Sequence, residues 1–191
     1  ESQGHRIVDI GGGTTDVEEI SLGGIVSCTS VKCAGNKIDA AIADYIKKTF
    51  NLAIGDKTAE EVKIKIGAAI PLEEELKVTI KGRDYIQGLP KTAQIGSNEI
   101  VRAIDSELKQ IVKAIKDVLQ EIPPELASDI IDNGIIMTGG SSLLRNLADL
   151  VYRKTGVKAT VAEDALYCVA KGTGIALTHL DVYKKAIISK K

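Results

Sequence analysis

Three consecutive glycines between two runs of β-forming residues set the strongest limit on how this chain can fold. Ile7-Val8-Asp9-Ile10 reads as a short apolar strand that runs straight into Gly11-Gly12-Gly13 and leaves through Thr14-Thr15-Asp16. Glycines lack a Cβ, so successive backbone N–H groups can curl around an anion, and the pattern predicts a phosphate cradle between two strands. Asp9, at the carboxyl end of the first strand, can hold a hydrated Mg²⁺ against phosphate oxygens, and the hydroxyls of Thr14 and Thr15 can orient a water. The competing reading is a glycine-rich hairpin bend in which Asp9 merely satisfies turn amides.

A second glycine-rich exit lies more than a hundred residues later. Ile135-Ile136-Met137-Thr138 reads as a buried strand, followed by Gly139-Gly140-Ser141-Ser142 and then, directly, a helix through Leu143 to Tyr152. A helix N-terminus favours a polar or anionic ligand, although Ser141 and Ser142 also make ordinary N-caps. Neither exit fits the GxxxxGK[ST] loop, and Gly172-Thr173-Gly174 lacks the preceding strand and third glycine of a dinucleotide fingerprint.

The rest of the chain supplies the scaffold. Thr15 to Leu22 and Ile25 to Val31 read as strands joined at Gly23-Gly24, giving a three-strand meander. Asn36 to Phe50 carries Ile38, Ala41, Ile42, Tyr45 and Ile46 at helical spacing. Thr58 and Glu61 suggest a capping box for a helix ending near Gly67, with Pro71 in its exit region. Leu76 to Ile80, Tyr85 to Gln87 and Thr92 to Ile95 are candidate strands. After Ser97 one apolar face, Ile100, Ile104, Leu108, Ile111, Ile115, Val118 and Ile122, predicts a single helix of about seven turns stopped by Pro123-Pro124. A short helix near Ala127 to Ile131, an Asn133-Gly134 turn, a strand over Val157 to Val161 and a helix over Cys168 to Leu180 complete a mixed α/β layer fold.

Composition removes whole classes of function. The 191 residues are 44% hydrophobic and 27% charged with a formal charge of -1, so no global field steers nucleic acid, and 3% aromatics leave few base-stacking surfaces. His5 and His179, one near each end, argue against a Ser-His-Asp triad or a histidine-rich metal site. Cys28, Cys33 and Cys168 form no CxxC pair and read as buried thiols of a reducing compartment. No apolar run reaches the roughly 18 residues of a membrane span, and the first residues lack a signal peptide's apolar stretch, which predicts a cytoplasmic chain. The runs Glu73-Glu74-Glu75 and Lys184-Lys185 read as solvated faces. The abrupt opening beside the phosphate loop predicts that an N-terminal part is missing.

The segments VDIGGGTTDV, ISLGGIV, AGNKIDAAI, TAEEVKIKIG, GLPKT, PPELASDIID, MTGGSSLL and GTGIAL resemble, in order and spacing, the bacterial actin family MreB. The resemblance runs from Ile7 to about Tyr183. It implies the second half of an actin-type ATPase, with a ribonuclease-H-like subdomain IIA over residues 1–35 and 99–191 and a small α+β insertion, subdomain IIB, over residues 36–98. By this resemblance ATP or ADP with Mg²⁺ lies between this half and an absent domain I. Asp9 serves the Mg²⁺ through water, Gly11, Gly12, Gly13 and Thr14 the phosphates, and Thr14 or Thr15 the hydrolytic water. Gly139, Gly140 and Ser141 line the adenosine, while Glu61 and Lys63 approach the ribose and base.

The same resemblance implies a cell-shape-determining filament protein that pairs with further copies of itself, end IIA to end IIB, and works with the cell-wall elongation machinery. The filament would lie at the membrane through domain I, of which this chain gives no evidence, and residues 181–191 would pack on domain I. Three positions depart from the family pattern: Lys65 stands for an acid, Asn36 for an aspartate and Ser141 for a third glycine. The family's first phosphate loop and catalytic glutamate belong to domain I, so a slow ATPase in full length is expected to be inactive as this half alone. The alternatives within the superfamily are half of a sugar- or acetate-kinase-like phosphotransferase and a chaperone-type ATPase.

Overall fold

The computed structural model describes residues 5–21, 24–121 and 130–181. Two sheets organise it. The larger takes β1 (His5–Ile10), β2 (Thr15–Ser21), β3 (Gly24–Val31), β7 (Ile135–Thr138) and β8 (Ala159–Val161) in the order β3-β2-β1-β7-β8. The first three strands form the expected antiparallel meander, and β7 and β8 add in parallel. Ser21 pairs with Gly24 across the first hairpin; the Gly23 half of the expected turn lies outside the described residues.

Alternation along β1 sends Arg6, Val8 and Ile10 into the core, opposite Glu19, Val17 and Thr15 of β2. Val8 and Ile10 belong to one buried cluster that also holds Ile111, Ile115 and Val118 and runs on through Ile38, Ile42 and Ile46 into the second layer. Arg6 and Glu19 place an ion pair inside that core: Nη2 and Oε2 lie 3.2 Å apart with the side chains 0% and 4% exposed. Burial pushes the Arg6 guanidinium below its ordinary range, and Glu19 partly restores it.

The smaller sheet is β4 (Leu52–Ala53), β5 (Lys77–Asp84) and β6 (Pro90–Gly96), packed with α1 (Gly35–Phe50) and α2 (Asp56–Ile66). The face Ile38, Ile42, Ile46 of α1 is wholly buried, as its periodicity predicts, and Asn51 closes the helix in the left-handed region at φ 51°. The expected capping box at Thr58 is not formed. Helix α2 begins two residues earlier, capped by Gly55, so Thr58 and Glu61 lie within its turns. Tyr85 to Gln87 is not a strand either. Asp84 Oδ1 accepts the amides of Ile86 and Gln87 at 2.9 and 2.8 Å, turning the chain back through Gly88 at φ +74°. The Gln87 amide, Lys91 Nζ at 2.9 Å and the Ile86 amide hold the Asp84 carboxyl down at about 2. Tyr85, Ile86 and Leu89 are left exposed at this tip.

The long helix after Ser97 is divided. α3 (Ser97–Ala103) packs on β6 and α1, and α4 (Asp105–Gln120) crosses β2 and β3. Ile104 between them leaves helical geometry at φ −104°, ψ 5° yet stays fully buried, so the apolar stripe continues through a change of course that periodicity alone does not register. Glu99 accepts the Gly96 amide at 2.8 Å and starts α3. Ile122, Pro123-Pro124 and most of the expected helix at Ala127 to Ile131 lie outside the described residues. The Asn133-Gly134 turn is present, with Gly134 at φ +72° against the Lys158 carbonyl.

After β7 comes a single 3-10 turn (Gly140–Leu143), then extended backbone at Leu144, then α5 (Leu147–Thr155). The helix therefore does not start at the glycines as expected. A second 3-10 turn (Ala165–Tyr167) leads into α6 (Cys168–Thr178), in which no residue is buried and Val169, Ile175 and Leu177 are each more than half exposed. Cys33 is buried as expected, whereas Cys28 is exposed and Cys168 only partly covered. Glu73, Glu74 and Glu75 are exposed; Lys184-Lys185 and residues 182–191 of the expected tail lie outside the described residues.

Candidate functional site

An open cleft of about 580 Å³ lies where the two layers meet, and both glycine-rich exits open into it. Asp9, Gly11, Gly12, Gly139, Gly140, Ser141 and Lys63 line it together, although they come from three distant stretches of sequence. Gly13, Thr14, Thr15 and Glu61 do not line it.

The first exit is tighter than an open ring of amides. Gly11 N–H donates to Thr14 O at 3.0 Å, while the carbonyls of Gly11 and Gly12 accept the first amides of α1, Gly35 at 3.1 Å and Asn36 at 2.8 Å. The loop itself therefore caps α1, which has no side-chain cap. Among the described residues, no backbone acceptor meets the exposed amides of Gly12 and Gly13. The threonine hydroxyls are committed elsewhere. Thr14 donates to Asp16 at 2.9 Å, and Thr15, fully buried, donates to Cys33 O at 2.7 Å.

The second exit is crowded. Gly139 sits at φ +83°, and a Cβ there would collide with Asp9 Oδ1 and the Ile10 carbonyl. Asp9 Oδ1 is buried with no hydrogen-bond partner among the described residues. Ser141 Oγ donates to Gly11 O at 2.8 Å and so clasps one exit to the other. Ser142 Oγ turns back to Gly139 O at 2.6 Å.

The remaining wall comes from α1 and α2. Glu60, Lys63, Ile64 and Gly67 line the cleft at one helical face, so the acid there is Glu60 rather than Glu61. Glu61 instead lies 3.6 Å from Lys65 on the far, exposed side, which takes the Lys65 departure out of the cleft. Lys63 Nζ bonds Asp39 Oδ2 at 2.9 Å with both side chains about six-sevenths covered, at 14% and 15% exposure. Burial raises the Asp39 carboxyl above its ordinary value, and Lys63 opposes that rise. Asn36, Asp39, Glu60 and Arg145 also line the site and were not singled out as ligand-facing from the sequence. The helical spacing of Glu60, Lys63, Ile64 and Gly67 is the signal that marks that face.

The chain resembles known proteins in both sequence and fold. The family described as MreB/Mbl protein matches residues 1–185. The cell shape-determining protein Mbl of Bacillus subtilis (strain 168) is 44% identical over 189 residues, covering 99% of this chain and 57% of that protein. The crystal structure of MreB5 of Spiroplasma citri bound to ADP is 42% identical with a TM-score of 0.89, over 98% of this chain and 56% of that one. A MamK double helical filament structure is 26% identical with a TM-score of 0.71, over 85% of this chain and 50% of that one. The chain thus spans little more than half the length of the proteins it matches.

Proposed function

Since the chain belongs to the MreB/Mbl protein family, we propose that it is the nucleotide-holding second half of a bacterial actin that assembles into filaments and determines cell shape. The matched relatives carry cell-shape names, which favours this reading over a phosphotransferase or chaperone half. The larger sheet with α4, α5 and α6 corresponds to subdomain IIA, residues 1–35 and 99–191, and the smaller sheet with α1 and α2 to IIB, residues 36–98.

The observation that carries the reading is the buried Asp9 Oδ1, without a hydrogen-bond partner among the described residues, between two glycine turns at the carboxyl ends of neighbouring parallel strands. An oxygen so placed suits a hydrated cation better than it suits the fold, because a buried acceptor without a partner costs free energy. A Mg²⁺ held there through water would neutralise phosphate charge. Gly12, in the cleft wall, and Gly13, the next residue of the same loop just beyond it, would offer amides to the phosphates; Gly139, Gly140 and Ser141 would flank the nucleoside, and Glu60 and Lys63 would face the ribose. Thr14 or Thr15 would orient the hydrolytic water through hydroxyls that donate within the fold, to Asp16 and to the Cys33 carbonyl. Binding without efficient turnover is the role of this half. The exposed tip at Tyr85, Ile86 and Leu89 gives end IIB an apolar contact for the next copy in a filament, and the elongation machinery is the partner of the assembled form.

Titration calorimetry of the 191-residue chain with ADP, with and without Mg²⁺, tests this. Asp9→Asn keeps the size of the side chain and is expected to weaken Mg-ADP binding by about tenfold or more while abolishing its Mg²⁺ dependence. Binding indifferent to both Asp9 and Mg²⁺ overturns the assignment.

A further inference from the structure

Two segments far apart in sequence close one side of the cleft: the chain leaving the second glycine turn and the last turn of α2. Arg145 bonds both. Its Nη1 donates to the carbonyls of Ile64 at 3.0 Å and Gly67 at 3.3 Å. Its own carbonyl accepts the Ala69 amide at 2.7 Å, and it pairs with Ala68 as an isolated parallel bridge between the layers. The last carbonyls of a helix lack internal donors and form the negative end of its dipole, so a guanidinium is well matched to them. The crossing is close because Gly67 has no side chain; a Cβ there would run into the Lys63 carbonyl and Leu144.

Among the described residues, no other side chain is seen to hydrogen-bond across these two segments. The α2 wall is otherwise held by packing on α1, β5 and α3 and by the Lys63–Asp39 pair to α1. Arg145 belongs to the glycine-turn side yet fixes the backbone of the helix that presents Glu60, Lys63 and Ile64 to the cleft.

We propose that Arg145 is a positioning residue: it sets the separation between the α2 wall and the Gly139–Ser141 turn, and thereby the grip on the nucleoside part of a nucleotide. The inference rests on the nucleotide reading above. A phosphate chain without a nucleoside would touch the glycine loops and Asp9 but not depend on the α2 wall, so the two parts of the ligand report separately. A lysine at this position keeps the charge but ends in a compact, strongly hydrated ammonium rather than the guanidinium whose Nη1 reaches both carbonyls.

The test uses the 191-residue chain with Arg145→Met and Arg145→Lys, and two readouts. The first needs no ligand. Hydrogen exchange at the Ala69 amide and in the last turn of α2 is expected to quicken in Arg145→Met, with β1–β3 unchanged. Unaltered exchange at Ala69 overturns the positioning role, and exchange that quickens everywhere overturns it as well, because Arg145 would then be a general stabiliser. The second readout is calorimetry with Mg-ADP and with Mg-tripolyphosphate. ADP affinity is expected to fall about tenfold in Arg145→Met, with partial recovery in Arg145→Lys, while tripolyphosphate affinity stays within about twofold. Equal losses for both ligands, or none, overturn the link to the nucleoside. Local quickening of exchange in a chain whose wild type binds no ADP supports the positioning of α2 and overturns the nucleotide reading instead.

Discussion

The two glycine-rich exits look alike in sequence and are built on opposite principles. At Gly139 the fold demands glycine: the backbone sits at φ +83°, and a Cβ would strike Asp9 and Ile10. At Gly13 the fold demands nothing, since its backbone is not left-handed and a Cβ would meet no atom within 4 Å. A glycine the structure requires is explained by packing. One that it merely tolerates, on a loop whose amides face outward, points to something outside the chain that must come close to the backbone. The second exit is therefore the rigid seat of the cleft and the first its contact surface, with Ser141 joining them.

Substitutions can break this contrast. The largest effect is expected for Gly139→Ala, which forces a side chain into both the left-handed region and an occupied space; urea unfolding should show a loss of about 3 kcal/mol or more. Ser141→Ala removes a single hydrogen bond between the exits and should cost about 1 kcal/mol in the same measurement. Gly13→Ala should leave the unfolding midpoint within about 0.5 kcal/mol of wild type. Its effect belongs in a titration with Mg-tripolyphosphate, where weaker binding is expected. A Gly13→Ala chain that unfolds readily, or binds unchanged, would erase the distinction drawn between the exits.

Legibility in the sequence followed the same division between local and long-range causes. The β1 strand, both glycine turns and the buried stripe of α1 were readable because alternation, helical period and glycine runs are local signals. The hairpin turn at Tyr85 to Gln87 was misread as a strand, since its β-prone residues are overruled by one carboxylate, Asp84, taking their amides. The division of the long helix at Ile104 was invisible because the apolar stripe passes through it unbroken. In the site, the resemblance points to Glu61 while the cleft is lined by its neighbour Glu60: one residue along a helix turns a side chain by about 100°, a difference that a motif match does not resolve. Arg145 escaped notice because its partners are backbone carbonyls some eighty residues away, which no motif records.

The Arg6–Glu19 pair gives the larger sheet something other than strength. Two charges taken out of water and given back only each other add little net stability. They do, however, make wrong pairings expensive: if β2 slid by one residue against β1, Glu19 would swing to the opposite face and leave Arg6 uncompensated inside the core, at a cost of about 3–5 kcal/mol. The neighbouring β2–β3 ladder shifts register between Glu19 and Ile20, beside the residue that pairs with Arg6. The pair thus favours one register of β1 against β2 over its neighbours, and with it the placement of the first glycine turn at the mouth of the cleft.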